Sequence, residues 1–169
     1  MVCKVNKVLK MQRSFSSSDF RATMSKFTTG ILIVATANRQ GHPIGVTINA
    51  FTSVSLDPPL VLFCLKTSSS SFKAFKENSV YSFNLLSSDQ AVIAQSFSKY
   101  ETKDWKNIDY DMESHGPPIL KGCLANLICE RDNLYHGGDH GIFLCKVVSL
   151  KKNDQLEPLI FFDRQYKSF

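Results

Sequence analysis

The sequence predicts a mainly β (α+β) fold: a closed or nearly closed antiparallel barrel with short peripheral helices. Three observations predict it. About seven short apolar runs, rich in β-branched and aromatic residues, are separated by turn signals. No strand–helix–strand alternation runs through the chain, and no G-x-G-x-x-G follows a strand, which disfavours a doubly wound nucleotide-binding domain. A chain of 169 residues, 43% hydrophobic and with 13 Phe, is long enough to bury one aromatic-rich core without covalent staples.

The elements follow in order. SSSDFRATMSKFTTG (16–30) opens on N-cap residues and sets Phe20, Met24 and Phe27 at i, i+4 and i+7, so it reads as a short amphipathic helix stopped at Gly30. ILIVATA (31–37) is a strand, NRQG a turn, and HPIGVTINAF (42–51) the returning strand of a hairpin. Pro58-Pro59 breaks the chain before a strand at 60–66. The polar run TSSSS (67–71) leads into FKAFKEN, a short helix with Phe72 and Phe75 facing inward. VYSFNLL (80–86) is a strand, and SSDQAVIAQSFS (87–98) a helix capped by Ser87 or Ser88. Residues 99–118 are charged and turn-rich, a surface excursion. CLANLICER (123–131), GIFLCKVVSLKK (141–152) and PLIFFD (158–163) complete the strands.

Charge says less than it first suggests. The net charge is +5, but Lys4, Lys7, Lys10 and Arg13 fall in the first 18 residues, which hold no acid; removing that +4 leaves +1 for the body. A nucleic-acid surface should cluster its cations on the folded part, and none do. The basic, Ser-rich leader resembles a transit peptide in composition but lacks a secretory apolar core; it reads as a flexible basic arm over residues 1–17, ahead of one domain at 18–169. No apolar run approaches the roughly 20 residues that span a bilayer. Five cysteines form an odd set without C-x-x-C, several inside apolar runs, as buried reduced thiols of a cytoplasmic protein would be.

Three segments bear chemistry. In LYHGGDHGIF (134–143), His136 and His140 are four apart, which on a helix would aim both at one metal ion. Gly137 and Gly138 between them each cost a helix about 1 kcal/mol, so a hairpin turn is expected and no metal; a role for His140 stays open. In GVTINAFTSVSLDPPLV (45–61), small and hydroxyl residues would let a planar ligand approach the backbone, or form a β-edge before a polar turn. Ser68–Ser71, flanked by Lys66 and Lys73 and preceding a helix, fit a phosphate site or a solvated linker equally well. No Ser-His-Asp order and no carboxylate pair stands out, which matters less if a bound cofactor carries the chemistry.

These segments, in this order and spacing, resemble the flavin reductase-like family of FMN-binding split barrels, which includes the reductase components of two-component flavin monooxygenases. The resemblance runs from about Phe20 to Tyr166 and rests most on FTSVSLDPPL and the G-D-H turn. It implies an antiparallel Greek-key split β-barrel, a homodimer with flavin near the subunit interface, and NADH or NADPH as electron donor to FMN or FAD. By position, Gly45, Val46, Thr47, Ile48, Asn49 and Ala50 would line the isoalloxazine, and Ser53, Val54 and Ser55 would continue that wall. Phe63, Cys64, Leu65 and Lys66 would approach the ring from the neighbouring strand. Ser70 and Ser71, with Ser98 and Lys99, would take the phosphate; His140 would stand at the nicotinamide side and Tyr166 near the same opening. The leader before Ser14 has no counterpart in that pattern, and the 99–116 excursion does not align with it residue by residue. The implied activity is hydride transfer from reduced nicotinamide to flavin, with a partner monooxygenase as a further consumer. A flavin-binding or storage protein without turnover is the alternative from another class.

Overall fold

The computed structural model describes residues 14–98, 105–113 and 116–168. The expected arm falls outside these up to residue 13, as do Lys99 and much of the 99–118 excursion. In chain order the elements are α1 (Ser17–Met24), β1 (Thr29–Gly30), β2 (Leu32–Ala37), β3 (Pro43–Ile48), β4 (Phe51–Leu56), β5 (Pro59–Lys66), α2 (Phe72–Glu77) and β6 (Val80–Leu85). A 3-10 turn at Ser88–Gln90 then leads into α3 (Ala91–Ser98), followed by β7 (Tyr110–Asp111), β8 (Ile119–Leu120), β9 (Ala125–Gly137), β10 (His140–Lys152), β11 (Ile160–Phe162) and β12 (Gln165–Lys167).

Seven strands form one sheet in the order β3-β2-β6-β9-β10-β5-β4, every pairing antiparallel. The sheet curls on itself. Leu32 and Val34 of β2, Ile48 of β3, Phe63 of β5, Phe83 of β6 and Phe143 of β10 share a single buried cluster, and β3 also touches β5 across the gap. An open flat sheet cannot bring inward residues from both ends into one core; a split barrel does. Phe63 sits at its centre, stacked on Phe143 with centroids 4.6 Å apart and edge-on to Phe75, Tyr81 and Phe83.

β2 is buried along its whole length. Its second face, Ile33 and Ala35, packs with Ala94 and Phe97 of α3, Leu120 and Leu159 in a second cluster. Burial on both faces is why ILIVATA is a continuous apolar run rather than an alternating one.

Two expectations change. The FTSVSL segment is the β-edge weighed for it, but as a strand of its own, β4, separated from β3 by the bend at Asn49–Ala50; it pairs only with β5, and its hydroxyl side chains suit a solvent-facing edge. And β9 and β10 are 13 residues each, longer than predicted, because their register continues through polar residues to a two-residue turn at Gly138-Asp139. Only Gly138 there has positive φ (67°), the placement a type II′ hairpin turn requires.

Candidate functional site

The site is best built from β3 outward. Along β3 the side chains alternate: Ile44, Val46 and Ile48 enter the barrel core, while Gly45 and Thr47 face α3. A Cβ on Gly45 would lie 2.8 Å from Trp105 and 3.0 Å from Phe97, and the Thr47 hydroxyl donates to the Ala94 carbonyl at 2.7 Å. All four side-chain positions from Gly45 to Ile48 are therefore committed to packing. The bend that follows is not: Asn49 and Ala50 are exposed. That bend is fixed from both sides, since Phe51 N–H donates to Asn49 O and Cys64 N–H donates to Ala50 O, each at 3.0 Å.

The last bond joins the bend to β5, where period-two alternation divides the expected ring contacts. Phe63 and Leu65 turn into the barrel and are buried there, so they back the site instead of touching a ligand. Cys64 and Lys66 face outward. Burial pushes the Cys64 thiol pKa up, keeping it neutral. On β4, Ser53 and Val54 are exposed and Ser55 half-buried, with a register shift between Ser53 and Ser55 that makes Val54 a bulge.

β10 pairs with β5 so that Ile142 opposes Cys64 and His140 opposes Lys66. Directly opposed residues in an antiparallel pair point to one face; His140, Lys66, Cys64 and Ile142 thus share the outer face. Asp139 Oδ1 lies 2.8 Å from His140 Nδ1. A carboxylate only accepts, so Nδ1 carries the proton and Nε2 is left for another partner. The hydrogen bond from His140 holds the Asp139 carboxyl below its ordinary range. The turn is clamped by Thr67, whose N–H and hydroxyl both donate to Asp139 O, at 3.0 and 3.1 Å.

His136 opposes Gly141, and His140 opposes Gly137, so the two imidazoles leave the hairpin on opposite faces. They rim one cavity of 320 Å³ with Phe72 and Tyr135 but do not converge. Among the described residues, no group of three or more His, Cys, Asp or Glu side chains could hold a metal ion.

The expected phosphate groups are scattered. Ser71 is buried at the start of α2, a helix of only six residues, and makes no side-chain cap bond there. Ser70 faces a different cavity, with Lys73 and the 38–40 turn. Ser98 ends α3, its hydroxyl donating to Gln95 O at 2.7 Å. Burial raises the Tyr166 pKa, and a hydrogen bond with Ser98 opposes that rise. Tyr166 packs on Phe161 with centroids 5.6 Å apart, against the second core cluster.

The sequence reading missed the surface beside Asn49. The apolar stripe of α1 joins neither core cluster: Phe20, Met24 and Phe27 are 52%, 50% and 68% exposed. With Asn49 they wall a groove that also takes in Arg21, Phe161 and Arg164. A cavity of 390 Å³ adjoins it through Phe27 and Asn49. Thr29 lines this cavity, and its hydroxyl is the one buried side-chain polar atom without a hydrogen-bond partner among the described residues. The stripe itself was the available signal; its spacing does not say whether a core or a ligand lies opposite.

The chain has clear relatives. The family model described as flavin reductase like domain matches residues 24–169. The FMN reductase (NADH) SmoA of Agrobacterium fabrum is 37% identical over 146 residues, 86% of this chain and 82% of that protein. The reductase subunit HsaB of a flavin-dependent monooxygenase from Rhodococcus jostii is 33% identical over 147 residues, 87% of this chain and 75% of that one. Among solved structures, flavin reductase PheA2 superposes with a TM-score of 0.84 at 30% identity, covering 92% of this chain and 99% of that chain. The Streptomyces globisporus NADH:FAD oxidoreductase SgcE6, solved with NAD and FAD fragments, also gives 0.84 at 30% identity, over 90% and 92% of the two chains. No helix among the described residues is long and apolar enough to cross a membrane.

Proposed function

The chain belongs to the flavin reductase-like family, and from that membership and the site we propose that it is an NAD(P)H:flavin oxidoreductase acting on FMN or FAD. The observation that carries the reading is the single outer face that links Asn49–Ala50 through Cys64 and Lys66 to Asp139–His140. A bound flavin supplies the hydride-accepting chemistry; the chain positions the reactants.

Asn49 and Ala50 present backbone and amide groups to the polar edge of the ring. The neutral Cys64 thiol gives it a half-buried apolar contact, and Ser53, Val54 and Ser55 extend the wall. Lys66 brings a cation beside that wall, and the Ser-rich turn that follows it offers the exposed Ser68 hydroxyl, and that of Ser70 on its Lys73 side, to the phosphate. His140 orients the nicotinamide through Nε2 while Asp139 holds its Nδ1, with no proton transfer required of either.

A homodimer completes the site. Leu60, Leu62, Cys64, Ile142 and Leu144 form a half-buried strip on the outer face that belongs to neither core cluster, and a second copy would cover it. Four free thiols, at Cys64, Cys123, Cys129 and Cys145, support residence in the reducing cytoplasm. The kinship with monooxygenase reductase subunits supports delivery of reduced flavin to an oxygenase component.

Steady-state oxidation of NADH and NADPH with FMN, FAD and riboflavin in turn tests the reading. Turnover with at least one flavin is expected; none with any of the three would sink it.

A further inference from the structure

A groove of 340 Å³ runs between α1 and the β11–β12 hairpin. Phe20, Met24, Phe27 and Phe161 wall it, Arg21 and Arg164 flank it, and no carboxylate lines it. Among the described residues, neither guanidinium forms a side-chain hydrogen bond or close ion pair: the adjacent Asp163 carboxylate, which Arg164 attracts at longer range, is taken up by Lys26 at 2.8 Å. The turn that carries Arg164 has positive φ at both central residues, 51° at Asp163 and 64° at Arg164. Such a turn favours Gly or Asn, so an arginine there is held in a conformation that L side chains adopt at a cost.

An exposed aromatic wall beside two guanidiniums with open hydrogen-bond donors is complementary to a nucleotide. Arginine matches phosphate through its planar fork of donors, and aromatic side chains offer the purine an offset-stacked or edge-on contact. The groove opens at Asn49, the residue that also heads the flavin wall, so an elongated ligand could lie in both.

We propose that this groove holds the adenosine diphosphate half of the nicotinamide dinucleotide, with a phosphate on Arg21 and Arg164 and the adenine against the phenylalanines. The proposal rests on the reading of the protein as a nicotinamide-dependent flavin reductase. The phosphate is either the pyrophosphate common to both donors or the 2′-phosphate of NADPH.

Arg164→Gly tests it without endangering the fold, because glycine accepts φ 64° freely. Arg21→Gln removes the second charge. ADP titrated calorimetrically into the full chain should bind the wild type and bind each variant about tenfold more weakly, the scale of a lost charge-assisted hydrogen bond. In turnover, the KM for the donor should rise by a similar factor, while those for reduced nicotinamide mononucleotide and for FMN stay within twofold. A rise for NADH and NADPH alike assigns the pyrophosphate; a rise for NADPH alone assigns the 2′-phosphate. Failure of ADP to bind the wild type, as when a second copy fills the groove, overturns the proposal. So does a rise in the KM for FMN or for the mononucleotide equal to that for the dinucleotide. A wild type that binds ADP but oxidises neither donor would instead overturn the reductase reading and leave the subsite standing.

Discussion

Lys66 and His140 stand directly opposite one another across the β5–β10 pair, on the outer face of the barrel. One is the last residue of its strand and the other the first of its own, so both project at the rim where Thr67 clamps the Asp139 turn. The pairing places a cation and an oriented imidazole side by side on that face, from segments more than 70 residues apart.

His140→Ala should therefore raise the apparent KM for the nicotinamide donor and leave FMN affinity nearly unchanged. Asp139→Asn keeps a hydrogen-bonding side chain at the turn and should give a smaller rise in the same constant. Steady-state kinetics with each substrate varied separately, with flavin titration alongside, checks both. A donor KM that does not move would remove His140 from the role.

Leu144→Lys places a charge on the outer strip, opposite Leu62 and away from the barrel core. The proposed homodimer should dissociate and flavin binding weaken, with the thermal transition of the monomer preserved. Sedimentation equilibrium reads the mass directly, and an unchanged dimer would move the interface elsewhere.

Gly45→Ala introduces a methyl group 2.8 Å from Trp105 and 3.0 Å from Phe97. These are aromatic ring atoms in a T-shaped pair with centroids 4.7 Å apart, so they yield only by shifting α3 or the segment at Trp105. Overpacking of this kind costs about 1–3 kcal/mol. Urea unfolding should show the loss. Full stability would mean that the Trp105 contact gives way freely.

The barrel should also weaken in alkali. Burial pushes the Cys123 thiol up to about 11 and those of Cys129 and Cys145 up to about 12, from an ordinary 9.0. Between these values the unfolded chain loses thiol protons that the folded chain keeps. The folded state then binds more protons, and stability falls as pH rises from about 9. The slope is at most about 1.4 kcal/mol per pH unit for each thiol. Unfolding free energies at pH 7 and pH 10 measure it, and Cys129→Ala, which cannot ionise, should flatten the dependence.

Much of this was legible in the chain. Seven of the strands lie where the apolar runs put them, Phe75 of FKAFKEN is buried, and the glycines between His136 and His140 do mark a hairpin. The misread elements share one cause. FTSVSL and the distal half of β9 are strands with polar outward residues, and their pairing comes from a partner strand, not from their own composition.

By itself, the sequence determined that Phe63 and Leu65 must face one way and Cys64 and Lys66 the other, because side chains alternate along any strand. It equally determined that His136 and His140 could not share a helix. Which pair of β5 faces the barrel, and that His140 rather than His136 shares a face with Lys66, only the tertiary structure decided. Register is a property of two strands, and a slip of one residue would exchange every inward side chain for an outward one. The same holds for α1: spacing gave Phe20, Met24 and Phe27 a common face, but Arg21 and Arg164 come to line one groove only once the β11–β12 hairpin is folded beside it.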